Sequence, residues 1–183
     1  MQLFGGKQHL NTWLEEAKQG KYHGQKAIFD LLSPKMYAVC VRYMGDREIA
    51  QDVLQDGFVT LFTKLESYSG EGSFEGWARK IFVNTALMAL RKRDVLKESE
   101  DIETAAGVAG SPTQVMDEIG YKELTALISE LPPGFRTVFN MYVIEGYSHK
   151  EIAESLGISE ATSRSQLLRA RALLQSRIEK KEY

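Results

Sequence analysis

SHKEIAESLGISEATSRSQLLRARALL, Ser148 to Leu174, spells two helices with a tight turn between them. Ser148 is placed to cap the first helix, and Glu151 three residues on completes a capping box. Ile152, Ala153 and Leu156 recur at helical spacing and give that helix its apolar face. Gly157 supplies a turn at which left-handed backbone costs glycine little. Ser159 can cap the second helix. Leu167, Leu168, Ala172 and Leu174 are expected to carry the buried side of that helix, which leaves Arg164, Arg169 and Arg171 for the surface.

This is the layout of a helix-turn-helix, in which one helix crosses the nucleic-acid backbone and the next enters the major groove by its N-terminal residues. The residues placed to meet base edges are Glu160, Ala161, Thr162, Arg164 and Ser165. Small side chains allow close approach, and an arginine can pair bidentately with guanine. A plain helical hairpin inside an α domain has the same spacing, so both readings stand at this point. Ser163 occupies a position where such motifs usually bury an aliphatic residue.

Composition narrows the rest. A chain of 183 residues has room for one domain or two small ones, and its 43% hydrophobic content is that of a globular protein. Cys40 is the only cysteine, which excludes an internal disulfide and a cysteine zinc site; His9, His23 and His149 show no ligand spacing. No metal or cofactor is expected. MQLFGGKQHL lacks the blocks of a signal peptide, and no apolar run approaches bilayer length, so the expectation is a cytoplasmic protein with no membrane insertion. The net charge of -2 is low for a lone DNA binder. Its distribution is uneven: five basic and no acidic residues lie between Arg79 and Arg93, seven acidic and one basic between Asp94 and Glu118, and six basic and one acidic between Arg164 and Lys181. Two nucleic-acid surfaces with an acidic connector fit that pattern.

Along the chain, apolar spacing predicts helices over residues 8–18 and 21–32, with Ser33-Pro34 marking a new helix start or a kink. Met36 to Met44 continue the pattern to Gly45. The most regular helix is Arg47 to Leu65. Its far face holds Asp52, Gln55, Asp56, Val59 and Thr63, which suits either a solvated surface with one stray valine or a docking surface. SYSGEGSF, Ser67 to Phe74, is a glycine-rich turn leading into a helix from Glu75 to Arg93. There Trp77, Lys80, Asn84 and Arg91 share one sector, opposite Ala78, Phe82, Ala86 and Ala89. An aromatic ring, an amide and cations together suit unstacked single-stranded DNA, while a buried tryptophan fits the spacing equally. Periodicity lapses from Asp94 to Val115, where Gly107, Gly110, Ser111 and Pro112 mark a flexible linker. It resumes near Met116, stops at Pro132-Pro133, and runs again from Phe135 to Val143. No strand is indicated. The expected fold is all-α: two helical domains joined by a flexible acidic linker, the second containing the helix-turn-helix.

Four stretches in this order resemble the extracytoplasmic-function (ECF) sigma factors of the bacterial sigma-70 family: DREIAQDVLQDGFVTLFTKL (Asp46–Leu65), SYSGEGSFEGWARKIFVNTALMALRKR (Ser67–Arg93), ISELPPGFRTVFNMYVIEGYSHKEIAESLGIS (Ile128–Ser159) and SEATSRSQLLRARALLQ (Ser159–Gln175). The resemblance spans roughly residues 10 to 178. It implies a region 2 domain over 1–93, a flexible acidic linker over 94–115 and a region 4 domain over 116–183. It also implies a sigma factor that binds core RNA polymerase and directs promoter-specific initiation, with an anti-sigma factor as a further partner. Implied polymerase contacts are Asp52, Gln55, Asp56, Val59 and Thr63. Implied contacts to the opened -10 strand are Tyr68, Phe74, Trp77, Arg79, Lys80, Asn84, Arg91 and Arg93. Implied contacts to the -35 duplex are Ser148, Lys150, Ser159, Glu160, Ala161, Thr162, Arg164, Ser165, Arg169 and Arg171. Many members carry an aliphatic residue at the position of Ser163 and a basic one at that of Gln166. No P-loop, HExxH or nucleophile elbow is present, so catalysis by this chain is not expected. The rival reading is a stand-alone helix-turn-helix regulator, which has no use for Asp52 or Trp77.

Overall fold

The computed structural model describes residues 5–92 and 121–179. Every element among them is helical: α1 (Gly5–Lys18), α2 (Tyr22–Met44), α3 (Arg47–Thr63), α4 (Phe74–Lys92), α5 (Tyr121–Ser129), α6 (Pro133–Phe139), α7 (His149–Leu156) and α8 (Glu160–Glu179). A single 3-10 turn, Leu65–Ser67, follows α3, and a π turn, Asn140–Ile144, follows α6. The expected linker over 94–115, with Arg93, Met116 and Ile119, lies outside the described residues. Among the described residues no helix is long and apolar enough to cross a membrane.

Two compact units emerge, one of Met1–Cys40 with Arg47–Ala86, the other of Val41–Asp46 with Leu87–Tyr183. In the first, α2 runs unbroken through Pro34, so no new helix starts at Ser33-Pro34. Ile28, Leu32, Met36, Val39 and Cys40 line its buried side. Phe58 is the hub of the core, with ring centroids 4.6 Å from Phe29, 5.1 Å from Phe82 and 6.1 Å from Phe62. The residue before it has no side chain for a reason. A Cβ on Gly57 would lie 2.4 Å from the Phe82 ring, so α3 and α4 approach as closely as they do only over a glycine. Cys40 is fully buried, and burial pushes its thiol up to about 12.

The second unit packs α6, α7 and α8 around Phe135, Val138, Phe139, Ile152, Leu167, Ala170 and Leu174, all buried. Its interior also holds a cation. Arg136, only 6% exposed, donates Nη1 to the carbonyls of Ser129 (2.8 Å) and Leu131 (3.0 Å), Nε to Tyr43 (3.0 Å) and Nη2 to Met44 (2.8 Å). The first of these carbonyls ends α5 and the last ends α2, where a helix carries partial negative charge. Burial lowers the Arg136 pKa to about 10, and the guanidinium stays charged at neutral pH. Asn140 donates Nδ2 to the carbonyl of Arg42 at 2.9 Å, and Arg42 pairs with Glu145 at 3.1 Å, both side chains of that pair almost fully buried. Arg136 is thus satisfied at both ends of its fork, whereas Arg42 Nε and Asn140 Oδ1 are buried without a hydrogen-bond partner among the described residues.

Candidate nucleic-acid and partner interfaces

The helix-turn-helix forms by the local chemistry that the sequence announces. Ser148 Oγ accepts from the backbone of Glu151 at 3.2 Å, and the Ser148 backbone donates to Glu151 Oε2 at 2.8 Å. That reciprocal cap holds the Glu151 carboxyl below the usual carboxylate range. Gly157 takes φ 70°, ψ 32°, the left-handed conformation that ends α7 and turns the chain. Ser159 Oγ then accepts from the backbone of Thr162 at 3.0 Å and lies 2.9 Å from its hydroxyl, opening α8.

The orientation of α8 about its own axis differs from expectation. Its buried side is Ser163, Gln166, Leu167, Ala170, Leu174 and Ile178. Leu168 is 67% exposed and Ala172 is only half-buried. Leu168 therefore stands one turn on from Arg164, on the outward face. Arg164, Ala161 and Ser165 are exposed, and Glu160, Thr162, Arg169 and Arg171 are half-buried. Arg164 donates Nη2 to Glu160 Oε2 at 2.6 Å. Ser148, Lys150 and Ser159 are exposed, although the two serine hydroxyls are engaged in caps. An exposed leucine among these groups is the kind of side chain that meets a thymine methyl; hydrophobicity alone assigned it to the core.

Ser163 is wholly buried, and its hydroxyl is partnered. His149 Nδ1 lies 2.9 Å from Ser163 Oγ. The imidazole stacks on Tyr142, centroids 4.5 Å apart at 23°. A polar pair thus occupies the position at which the sequence departs from an aliphatic residue.

In the first unit, Asp52, Gln55, Asp56, Val59 and Thr63 are all exposed along one side of α3, Val59 at 68%. Thr63 donates its hydroxyl back to the Val59 carbonyl at 2.8 Å. The second surface gathers around the loop between the 3-10 turn and α4. Tyr68, Phe74 and Trp77 form a mutual cluster, with centroids 5.2, 5.3 and 5.7 Å apart. Tyr68 donates its hydroxyl to the Gly72 carbonyl at 3.1 Å and closes the loop on itself. Beside it opens a cavity of about 380 Å³ lined in part by Leu31, Leu32, Tyr68, Gly70, Ser73 and Phe74, a volume within the range of small-molecule pockets. Tyr68, Trp77 and Arg79 are half-buried; Lys80, Asn84 and Arg91 are exposed. Phe74 is 3% exposed. It supports the other two rings from beneath and does not itself reach the surface, because it opens α4 on the core side. Met88, 67% exposed and four residues beyond Asn84, extends the outward strip and was not anticipated.

Two helical units, one of them with an arginine-bearing helix-turn-helix, define a DNA-binding protein. Comparison with known proteins narrows the class. The profile of Sigma-70 region 2 matches residues 28–95, and that of Sigma-70, region 4 matches residues 121–174. The chain is 34% identical over 166 residues to the RNA polymerase sigma-H factor of Pseudomonas aeruginosa, covering 81% of this chain and 84% of that one. It is 30% identical over 171 residues to the ECF RNA polymerase sigma-E factor of Haemophilus influenzae, covering 85% and 90%. It is 30% identical over 151 residues to the ECF RNA polymerase sigma factor SigE of Mycolicibacterium smegmatis, covering 80% of this chain and 58% of that longer one. The fold is similar to that of the sigma factor RpoE of Bartonella quintana, solved with the anti-sigma factor NepR, at a TM-score of 0.50 and 22% identity over 85% of this chain and 96% of that one. The chain belongs to the ECF group of the sigma-70 family.

Proposed function

We propose that this chain gives RNA polymerase its choice of promoter through three surfaces. The outer face of α3, with Asp52, Gln55, Asp56, Val59 and Thr63, docks on core polymerase. The loop at Tyr68 and the strip of α4 bearing Trp77, Lys80, Asn84 and Arg91 capture the opened -10 strand. The N-terminal turns of α8 read the -35 duplex. The bond-making chemistry belongs to the polymerase, and the site of action is the cytoplasm, where that enzyme works. The domain division is region 2 over 1–93 and region 4 over 116–183.

The observation that carries the reading is the cluster of Tyr68, Phe74 and Trp77 beside a cavity and exposed cations. A duplex-only regulator needs one basic helix. Aromatic rings flanked by cations serve unpaired bases, which stack on them while the cations meet phosphates. Taking a base out of the duplex costs a few kcal/mol, which a shaped pocket offsets. An anti-sigma factor is a further proposed partner, supported by the complex in which the similar RpoE was solved.

Run-off transcription with purified bacterial core polymerase on a promoter library tests this directly. Defined start sites are expected with the chain present, and their absence sinks the reading. Within that assay, Arg164→Ala is expected to weaken selection at one or two -35 positions by about 1–3 kcal/mol, or roughly 5- to 150-fold. Equal loss on every sequence would reduce Arg164 to a phosphate contact.

A further inference from the structure

We propose that His149 is a positioning residue for -35 recognition: as a neutral imidazole it holds Ser163, and through Ser163 it sets the rotation of α8 about its axis. The inference rests on the reading of α8 as the -35 helix.

The geometry joins three elements. His149 is the first residue of α7, directly after the Ser148 cap. Its ring stacks on Tyr142 from the π turn after α6. Its Nδ1 meets Ser163 on α8. Ser163 lies between Thr162 and Arg164, two of the residues assigned to base edges. The backbone of Ser163 is already bonded to the Ser159 carbonyl at 3.0 Å, so the clasp acts on the first turns of the helix. A fully buried hydroxyl without a partner is costly, and here its partner is the imidazole. An aliphatic side chain at this position would pack without direction. A hydrogen bond has direction, so this pair fixes an angle where packing alone fixes only a distance.

The clasp depends on the proton count of the ring. With Nδ1 unprotonated, Ser163 donates and the imidazole accepts. A proton on Nδ1 makes it a donor and forces the buried serine hydrogen to find another acceptor. The surroundings oppose that proton. The positive charges of Arg164 and Arg171 on α8 disfavour it, and Glu160 of α8, which favours the cation, is already engaged by Arg164. Tyr142 contributes only its ring face. On α7 itself, Glu151 is committed to the Ser148 cap. Desolvation, the largest influence, then Arg164 lower the His149 pKa below its ordinary value. A pKa lowered by folding means that the structured form holds fewer protons than the free ring. The clasp therefore still stands as pH passes down through the ordinary imidazole value near 6.5, and it reverses its direction only as pH falls through the lowered value of the folded chain.

The test uses the full chain assembled with core polymerase. Initiation is compared on a promoter selected by the wild-type holoenzyme and on its -35-scrambled counterpart, from pH 5.5 to 8. The ratio cancels pH effects on the polymerase. Wild type is expected to lose discrimination towards acid pH. His149→Phe keeps the stack but strands the serine, and is expected to lower the ratio roughly tenfold at pH 8. The pair His149→Phe with Ser163→Val, which removes both polar partners, is expected to recover it. His149→Asn offers a non-titrating partner and is expected to discriminate with a flat pH profile. The inference fails if His149→Phe matches wild type, if it loses equally on both templates, or if the His149→Asn and wild-type profiles coincide. Absence of any -35 discrimination by wild type overturns the assignment of α8, and this inference with it.

Discussion

Asp56→Arg is expected to abolish capture of the chain by core RNA polymerase while leaving its circular dichroism spectrum and thermal midpoint unchanged. Asp56 is exposed on α3, on the side that also shows Asp52, Gln55 and a 68% exposed Val59. The core side of the same helix, Ala50, Val53, Gly57, Phe58 and Leu61, is untouched by the change. Surface substitutions away from packing shift stability little. At an interface the same reversal places like charges together and leaves a basic partner group without its carboxylate. Breaking such a pair costs about 2–5 kcal/mol, roughly 30- to several-thousand-fold in affinity. Val59→Ala should give a smaller loss on the same surface. Pull-down with purified core enzyme decides it; an Asp56→Arg chain that is retained like wild type removes α3 from the interface.

Trp77→Ala is expected to cut open-complex formation while initial binding to duplex promoter persists. Trp77 is half-buried, with its ring 5.3 Å from that of Tyr68 and 5.7 Å from that of Phe74. Phe74 and Ala78 hold that end of α4 in the core without it, so the helix survives the truncation. A stacked base contributes about 1–3 kcal/mol, so loss of the platform should lower the open fraction by roughly 5- to 150-fold. Permanganate reactivity of thymines near the start site measures the opened strand, and gel shift measures the closed complex. Wild-type permanganate reactivity in the variant would show that the ring serves packing alone. Trp77→Phe, which keeps a stacking face, should recover most of the opening.

The elements were legible in the sequence because their punctuation is local. Ser148 with Glu151, Gly157 and Ser159 act on neighbours within a few residues, and α7 begins and ends, and α8 begins, where those residues direct. The all-α fold followed from the same spacing. The outward side of α3, with its exposed valine, was visible too, since Ala50, Val53, Gly57, Phe58 and Leu61 mark the opposite arc. The facing of α8 was less legible. Its buried arc includes Ser163 and Gln166, and its exposed arc includes Leu168, so hydrophobicity points partly the wrong way. Ser163 is buried because His149, fourteen positions earlier, completes its hydrogen bonding, and no local pattern announces such a pair. Arg136 and Asn140 are of the same kind. Their acceptors at Tyr43, Met44 and Arg42 lie more than 90 positions away, and only the folded chain brings them together. Ser33-Pro34 fits a new helix start or a kink, and the first of these does not occur, because α2 continues through Pro34. Leu32, Met36 and Val39 on either side are buried in one core, and that packing outweighs the missing bond.

Cys40 has a practical corollary. Sulfhydryl reagents attack the ionised sulfur, and a thiol held near 12 is ionised to only about one part in ten thousand at pH 8. Sealed inside the first unit, it reacts when α2 loosens and otherwise stays silent. Since this is the sole such residue in the chain, the rate of its alkylation clocks the breathing of that unit in the unmodified protein, alone or seated on polymerase, with no probe introduced.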